Sequence, residues 1–498
     1  MKLTRKKFIG ALVGAGVLAG GGVWTLQQTA KGTRIENVSR TIPEGNVLSF
    51  RSRPDLKPPA VEIEKRPRGI FARKGDCVFL APQPKTPGSS GAMILDSEGH
   101  LVWFHQPEER RLDNFRVQHY RDEPVLTWWE GRVTNGHGSG EYVLLDRSYR
   151  EIKRVRAGNG YKGDLHEFLL TPQGTALFTA YHPVRHDLTP AGGSKDALVY
   201  DGIAQEVDVE SGKVLFEWHS LDHVPVELSY GRPPKNPDDP FDYFHINSID
   251  VDHDGNLLIS SRNTWAVYKV DRASGRVLWR LGGKESDFEM GPGTRTAYQH
   301  DARRHPDGTI TIFDNGGNPP VHRQSRGVVL RLDMQKMRAT LVREYVHPGR
   351  RILAGAEGNV QMLPTGEAFI GWGYEPFFSG FTGSGDLVFD ARLPGQGRSY
   401  RTYWHPWEGH PEGRPAVVAK KHADGGITIY ASWNGSTAVK RWRVLSGRVP
   451  SDLREAGDAP KRGFETAVTL RGGGPYFAIQ AVDESGNVLA TSGTTRAR

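Results

Sequence analysis

The chain of 498 residues holds a single cysteine, Cys77. An intrachain disulfide is excluded, and with it multi-cysteine zinc sites and iron–sulfur clusters. The fold must therefore rest on burial, which a chain of this length can supply. Long apolar runs are scarce too. The uncharged stretch Phe8–Trp24 is the one of note, and it lies near the N-terminus. The body lacks a charge of one sign. Net charge is +8, but Lys2, Arg5, Lys6 and Lys7 supply half of it, and residues 51–74 carry a further basic excess. Charge confined to a leader and a linker makes no patterned face, so no nucleic-acid partner is expected. A G-x-S-x-G elbow, a P-loop and a dinucleotide fingerprint are also missing; GAGVLAGGG falls in the leader. Asp252 and Asp254 open like a calcium loop, but no downstream acidic ligand follows, so they read as a turn. No metal and no cofactor is expected.

What is present is glycine, 60 residues of it, with Trp, Tyr and Phe at 10% of the chain. That mixture suggests many short strands joined by turns around an aromatic core. The basic Thr4–Gly10 segment before an apolar stretch reads as an export signal over residues 1–25. It resembles a twin-arginine signal with Arg5-Lys6 in place of the arginine pair. No clean small-x-small cleavage site follows, so membrane anchoring by residues 8–24 stays open beside cleavage. The expected location is the periplasm or the extracellular face. Residues 26–75, with Pro54, Pro58, Pro59 and Pro67, read as a linker or irregular arm.

From residue 76 to 498 one pattern recurs. A turn ending in glycine precedes an alternating strand around Gly174, Gly255, Gly308, Gly366 and Gly425. A second pattern, a strand ending in aspartate, recurs at Asp146, Asp208, Asp271 and Asp333, spaced 62, 63 and 62 residues apart. One unit reads in full as strands over His245–Asp252, Asn256–Arg262, Trp265–Asp271 and Arg276–Leu281, with Asp-Gly or Ser-Gly turn chemistry between. Four antiparallel strands per ~60 residues is the pattern of a propeller blade. Residues 115–492 hold about six such units. The expected fold is all-β, a six-bladed β-propeller of four-stranded antiparallel blades. The strands within 76–105 are expected to complete a blade with C-terminal strands such as FAIQAVDESGNVLAT, which closes the ring and removes the sheet edge.

In such a ring the first strand of each blade lines the central channel. The position about eight residues before each turn glycine therefore faces one mouth. His166 and His300 occupy it in two blades. Asn247 occupies it in a third, on the same strand face as His245 two residues earlier. In a fourth it is Gly358, beside Asn359 and Gln361. Imidazoles and amides thus converge on one mouth, His166, Asn247, Asn359 and Gln361 as ligand-binding candidates.

At these residues the sequence resembles the bacterial arylsulfotransferase family and its arylsulfotransferase-like branch. The matching stretches are GAMILDSEGHLVWF, DLHEFLLTPQGTALFTAY, FHINSIDVDHDGNLLISSRN, WRLGGKESDF, QHDARRHPDGTITIFDNGG, SRGVVLRLD, GNVQMLPTGEAFIGWG and SYRTYWHPW, spanning roughly residues 75–445. The resemblance implies an exported six-bladed propeller that moves a sulfuryl group from a phenolic sulfate ester to a phenol. It implies small-molecule aryl sulfates and phenols as partners, no nucleotide sulfate donor, and ping-pong transfer through a channel histidine. A neutral imidazole is a competent nucleophile for that step. His245 and His300 match family channel histidines. The motif Asp314-Asn315-Gly316 implies a substrate contact at Asn315 and an arginine beyond it; Arg323 and Arg326 are nearest, and Arg326 is favoured because its strand resumes there. The family's sulfated histidine lies in a later blade, where this chain has none, so the resemblance leaves His300 or His245 for that role. The alternative is a non-catalytic propeller that binds a ligand or the cell wall. A quinone-dependent propeller dehydrogenase is disfavoured by the lone cysteine.

Overall fold

Asp-Gly and Ser-Gly turns set the strand lengths. At Asp252–Gly255 the Gly255 N–H reaches the Asp252 carbonyl at 2.9 Å, with Gly255 at φ +82°, a conformation that costs glycine little. A computed structural model describes residues 46–108 and 110–498 in full, and Gln27–Gln28 and Arg34–Asn37 by their backbone. The leader expected over residues 1–25 lies outside the described residues. Among the described residues the only α-helix is the single turn Ser220–His223, and no helix is long and apolar enough to cross a membrane.

Six sheets, each with a core of four antiparallel strands, follow one another along the chain. The first holds Arg111–Tyr120, Glu123–Thr134, His137–Leu145 and Glu151–Val155, in that order. The second starts at Phe168–Leu170, the third at Ile246–Val251, the fourth at His300–Arg304 and the fifth at Asn359–Met362. The sixth joins distant parts of the chain: Ser399–Pro406 pairs with Asp76–Pro82, followed by Ala92–Asp96 and Leu101–His105.

Successive sheets pack face to face, and the strand pleat explains how. In Leu257–Ser261 the side chains of Leu257 and Ile259 join a core shared with the second sheet, while Leu258 joins one shared with the fourth. The series closes on itself, because Phe79, Ile94 and Trp103 of the sixth sheet share a core with Phe115, Leu126 and Trp128 of the first. Each such buried side chain contributes about 1.5–3 kcal/mol. Amides bind the first strands to one another. Asn359 exchanges two 2.9 Å hydrogen bonds with the Thr402 backbone, Gln361 two of 2.8 Å with Trp404, and the Asn247 amide donates to the Gln299 carbonyl at 2.7 Å.

The strand closing the sixth sheet is not the one expected. FAIQAVDESGNVLAT pairs through Tyr476–Val482 with Arg441–Gly447, and the repeat at Gly425 lies beside Ile427–Ser432 of another sheet. These C-terminal strands form two further sheets with their own core, in which Trp442, Val444 and Phe477 meet Ile429 and Val468. The turn chemistry that suggested a continuing repeat is that of any antiparallel hairpin, so it cannot tell a ring sheet from its neighbour. Residues 46–75 are mostly irregular but firmly held. Phe50, Leu56 and Phe71 are buried between the fifth and sixth sheets, and Glu62–Lys65 adds an edge strand to the fifth.

Candidate functional site

The leading ends of the first strands surround a cavity of about 210 Å³. His166, His245 and His300 all line it, as their equivalent positions predict. Each arrives from a different sheet: His166 just before Phe168–Leu170, His245 just before Ile246–Val251, and His300 at the start of His300–Arg304. The rings of His166 and His245 stand edge to face with centroids 4.8 Å apart. Tyr400 stands edge-on to His166 at 5.6 Å and to His300 at 6.4 Å.

Carboxylates orient two of these rings. Asp242 accepts from His245 Nδ1 at 2.5 Å and also meets His137 Nε2 at 3.2 Å. Asp164 is hydrogen-bonded to His166 Nδ1 and to the Gly138 N–H. A carboxylate on Nδ1 fixes the tautomer and leaves Nε2 as the free lone pair. Burial, with the neighbouring His166 and Arg262 charges, outweighs Asp242 and lowers His245 to about 4. His137 moves the other way: burial opposes its charge, but Asp242 raises it. The trio thus holds an ionised Asp242 and a neutral His245 at neutral pH, with His137 raised by the same carboxylate. His300 is also neutral, lowered by burial and then by Arg262 and His245. Its Nδ1 meets Asn315 Oδ1 at 2.8 Å, and its Nε2 accepts the Glu357 N–H at 3.3 Å.

Cations and aromatic rings complete the wall. Arg262 donates to the Gly355 carbonyl at 3.0 Å and to Asn263 Oδ1 at 2.8 Å, with its guanidinium over Tyr298 at 4.8 Å. Arg111 pairs with Asp113 at 2.5 Å, and Arg398 lies over Tyr374 at 3.9 Å. His245, Asn318 and Glu357 line the cavity with left-handed backbones, at φ +54°, +71° and +64°. Such conformations cost non-glycine residues roughly 1–3 kcal/mol and collect where a side chain must be aimed.

The other sequence candidates fall elsewhere. Asn315 stands behind His300 and holds its Nδ1 side, with its own amide on the Ala354 and Glu357 carbonyls. Asn247, Asn359 and Gln361 use their amides on the neighbouring first strands, and Gln361 lines a second cavity at the far ends of those strands. Arg326 is not among the cavity lining; it pairs with Asp314 at 2.9 Å and Glu344 at 2.8 Å. Arg111, Arg262 and Arg398 line the cavity without having been candidates from the sequence, and Arg262 is the one nearest the FHINS strand in pairing. It follows Leu257–Ser261, and its N–H donates to the His245 carbonyl at 2.9 Å, so hairpin pairing with the FHINS strand was the available signal.

Beneath the cavity lies a buried ion cluster. Glu167 meets Arg116, Arg303 and Arg401, and Asp301 meets Arg303 at 2.8 Å and Arg401 at 3.4 Å. Glu167, Asp301 and Arg401 each follow a cavity residue in sequence, at leading ends where the pairing is irregular and Asp301 is left-handed at φ +56°. Burial opposes the Glu167 charge, but the three arginines hold it down to about 2.

A family model described as Arylsulfotransferase (ASST) matches residues 116–393. No curated protein matches the chain. Similar solved structures include a protein of unknown function from Bacteroides caccae, 13% identical, covering 66% of this chain and 98% of its own, with a TM-score of 0.42. A catalytically inactive virginiamycin B lyase from Staphylococcus aureus with quinupristin is 9% identical, covers 82% of this chain and 99% of its own, and has a TM-score of 0.35. A luciferin-regenerating enzyme is 11% identical over 68% of this chain and 97% of its own, with a TM-score of 0.34.

Proposed function

The chain belongs to the arylsulfotransferase (ASST) family, and from that premise we propose that it transfers a sulfuryl group between phenols through a histidine of the cavity. The six consecutive sheets are then the blades of a six-bladed propeller, and the cavity is one mouth of its central channel. Transfer takes place outside the cytoplasm, where the leader would direct the chain. The observation that carries this reading is the meeting of His166, His245, His300 and Arg262 in one cavity, with Asp242 on His245 Nδ1.

His245 is the nucleophile of this proposal. Its ring is neutral, its Nδ1 proton is held by Asp242, and its Nε2 is left to attack sulfur. As the N–S bond forms, the S–O bond to the donor ring breaks and its electron pair leaves with the phenolate oxygen. The sulfo-imidazolium keeps its Nδ1 proton on Asp242, which balances the new ring charge. The oxygen of an acceptor phenolate then attacks the same sulfur, the N–S bond breaks, and its electron pair returns to His245. Negative charge spread over the sulfuryl oxygens faces Arg262, a preorganised cation of the cavity wall. His166 and His300 shape the floor beneath it. A cavity of about 210 Å³ holds one aryl sulfate at a time, which suits alternating entry of donor and acceptor.

The test is to incubate the purified chain with 4-nitrophenyl sulfate, with and without phenol. Phenol-stimulated nitrophenol release, with a histidine peptide gaining a sulfuryl group by mass spectrometry, is the expected result. No release across several aryl sulfates, with aryl sulfate binding retained, would overturn it in favour of a binding propeller.

A further inference from the structure

The cavity wall beside His300 carries two polar atoms that the protein leaves without a hydrogen-bond partner. Glu357 Oε2 and the Tyr400 hydroxyl are both buried, both belong to cavity-lining residues, and neither is satisfied. Buried polar atoms are rarely left so, and each calls for an explanation. Glu357 is held firmly in place. Its backbone sits at φ +64°, its N–H is on His300 Nε2 at 3.3 Å, and its Oε1 accepts from Gln83 Nε2 at 3.2 Å. The next residue, Gly358, is pinned as well: a Cβ there would lie 2.4 Å from the Phe313 ring. One carboxyl oxygen is therefore anchored and the other is free.

A fixed carboxylate is out of place in a cavity for sulfate esters, since like charges would repel. It is admissible if the group is protonated when the donor binds. Burial raises the Glu357 carboxyl above its ordinary range, and the nearby Asp113 adds to this against Arg398 and Arg111. Asp113 shares Gln83 Nε2 with it, at 3.0 Å.

We propose that Glu357 is the acid and base for the phenolic oxygen, with the Tyr400 hydroxyl donating to the same oxygen. This deepens the sulfotransferase reading and rests on it. In the first half-reaction the Glu357 carboxyl gives its proton to the departing phenolate oxygen while His245 Nε2 takes the sulfur. The enzyme now carries a Glu357 carboxylate and a sulfo-imidazolium. In the second half-reaction the acceptor phenol gives its proton to that carboxylate as its oxygen attacks sulfur and the N–S bond breaks. Neutral His245 and protonated Glu357 are restored. One carboxyl thus serves both halves, as ping-pong exchange of like substrates requires.

The experiment compares wild type, Glu357→Gln and Glu357→Asp on aryl sulfates whose phenols range from acidic to weakly acidic. Glu357→Gln keeps the Gln83 hydrogen bond but has no proton to give or take. It should retain sulfo-histidine formation from 4-nitrophenyl sulfate, whose leaving group needs little help, which also reports an intact cavity. With phenyl sulfate it should lose at least ~100-fold, in line with removal of a positioned acid, so its rates should depend on the leaving group far more steeply than the wild type's. Glu357→Asp should recover part of that loss. Equal leaving-group dependence in wild type and Glu357→Gln, with both active, would overturn the role of Glu357 alone. A wild type that turns over no aryl sulfate would overturn the sulfotransferase reading, and this role with it.

Discussion

Asp242 serves two histidines with one oxygen: its Oδ2 lies 2.5 Å from His245 Nδ1 and 3.2 Å from His137 Nε2. The arrangement separates charge from reactivity. Asp242 raises His137, while burial keeps the His245 ring neutral with its Nε2 lone pair. Asp242→Asn removes the anion that selects this tautomer. The expected result is a loss of at least ~100-fold in kcat; neutralising the carboxylate behind the imidazole of a serine-protease triad costs about 10⁴-fold. Binding of the donor should change little, so KM should move far less than kcat.

Arg262 gives a second prediction, because in the proposed transfer it faces the sulfuryl oxygens while its charge also acts on the rings. Its positive charge is one reason that His245 and His300 are lowered, after burial itself. Arg262→Gln should therefore cost about 100-fold or more in kcat/KM through lost stabilisation of developing charge. It should also move the acid limb of the pH–rate profile upward from its wild-type position near pH 4, where His245 protonates. A variant with reduced rate and an unmoved acid limb would place Arg262 away from the rings' field. Arg262→Lys should recover little, since an ammonium cannot both reach the Gly355 carbonyl as a fork and stack on Tyr298.

Periodicity made the ring of sheets and the three histidines legible, because equivalent positions in repeated hairpins face the same way. It could not show which far strand closes the ring. Ser399–Pro406 and Tyr476–Val482 are both mostly buried strands, and long-range pairing decides between them. Nor did it distinguish amides that face the cavity from amides that bridge strands. Asn359 and Gln361 sit where ligand groups were expected, yet each completes hydrogen bonds to the next strand's backbone. Arg326 illustrates a third limit. Its motif gave a position along the chain, but Asp314 and Glu344 decide where its guanidinium goes. Glu357 falls just outside the matching stretches and Tyr400 inside SYRTYWHPW with nothing to single it out; burial without partners brings both out.

His219 offers a stability test away from the cavity. Its Nδ1 meets Asp201 at 2.6 Å and its Nε2 meets Glu217 at 3.1 Å. The Asp201 hydrogen bond, then Glu217, against partial burial, raises it from 6.5 to about 9. A raised histidine stabilises the fold fully below its unfolded value, and the contribution fades as pH climbs through the folded one. His219→Gln should therefore be less stable than wild type by denaturant titration at about pH 6, with the gap closing towards about pH 10 as the imidazolium is lost. A gap that is constant with pH would mean that packing, not charge, sets the contribution of His219.

Glu465 ties the N-terminal arm to the C-terminal sheets. Its carboxylate is fully buried and accepts from the Arg51 N–H at 3.1 Å, the Ser52 N–H at 2.6 Å and the Ser52 hydroxyl at 2.5 Å. Ser52 Oγ also meets Ser432 Oγ at 2.7 Å, so one residue of the arm is held by two strands of the same sheet. Glu465→Ala strands these donors, and each buried group left unmet costs ~1–3 kcal/mol. The expected loss is about 2–4 kcal/mol of stability by denaturant titration. Because Phe50 and Leu56 seal the core between the fifth and sixth sheets, loosening Ser52 should open this segment first. Limited proteolysis of Glu465→Ala should cut within residues 46–60 well before the ring, at temperatures where the transfer rate is still that of wild type. Cleavage first inside the ring sheets would show that the arm is held by its apolar contacts, and that Glu465 serves only the C-terminal pair of sheets.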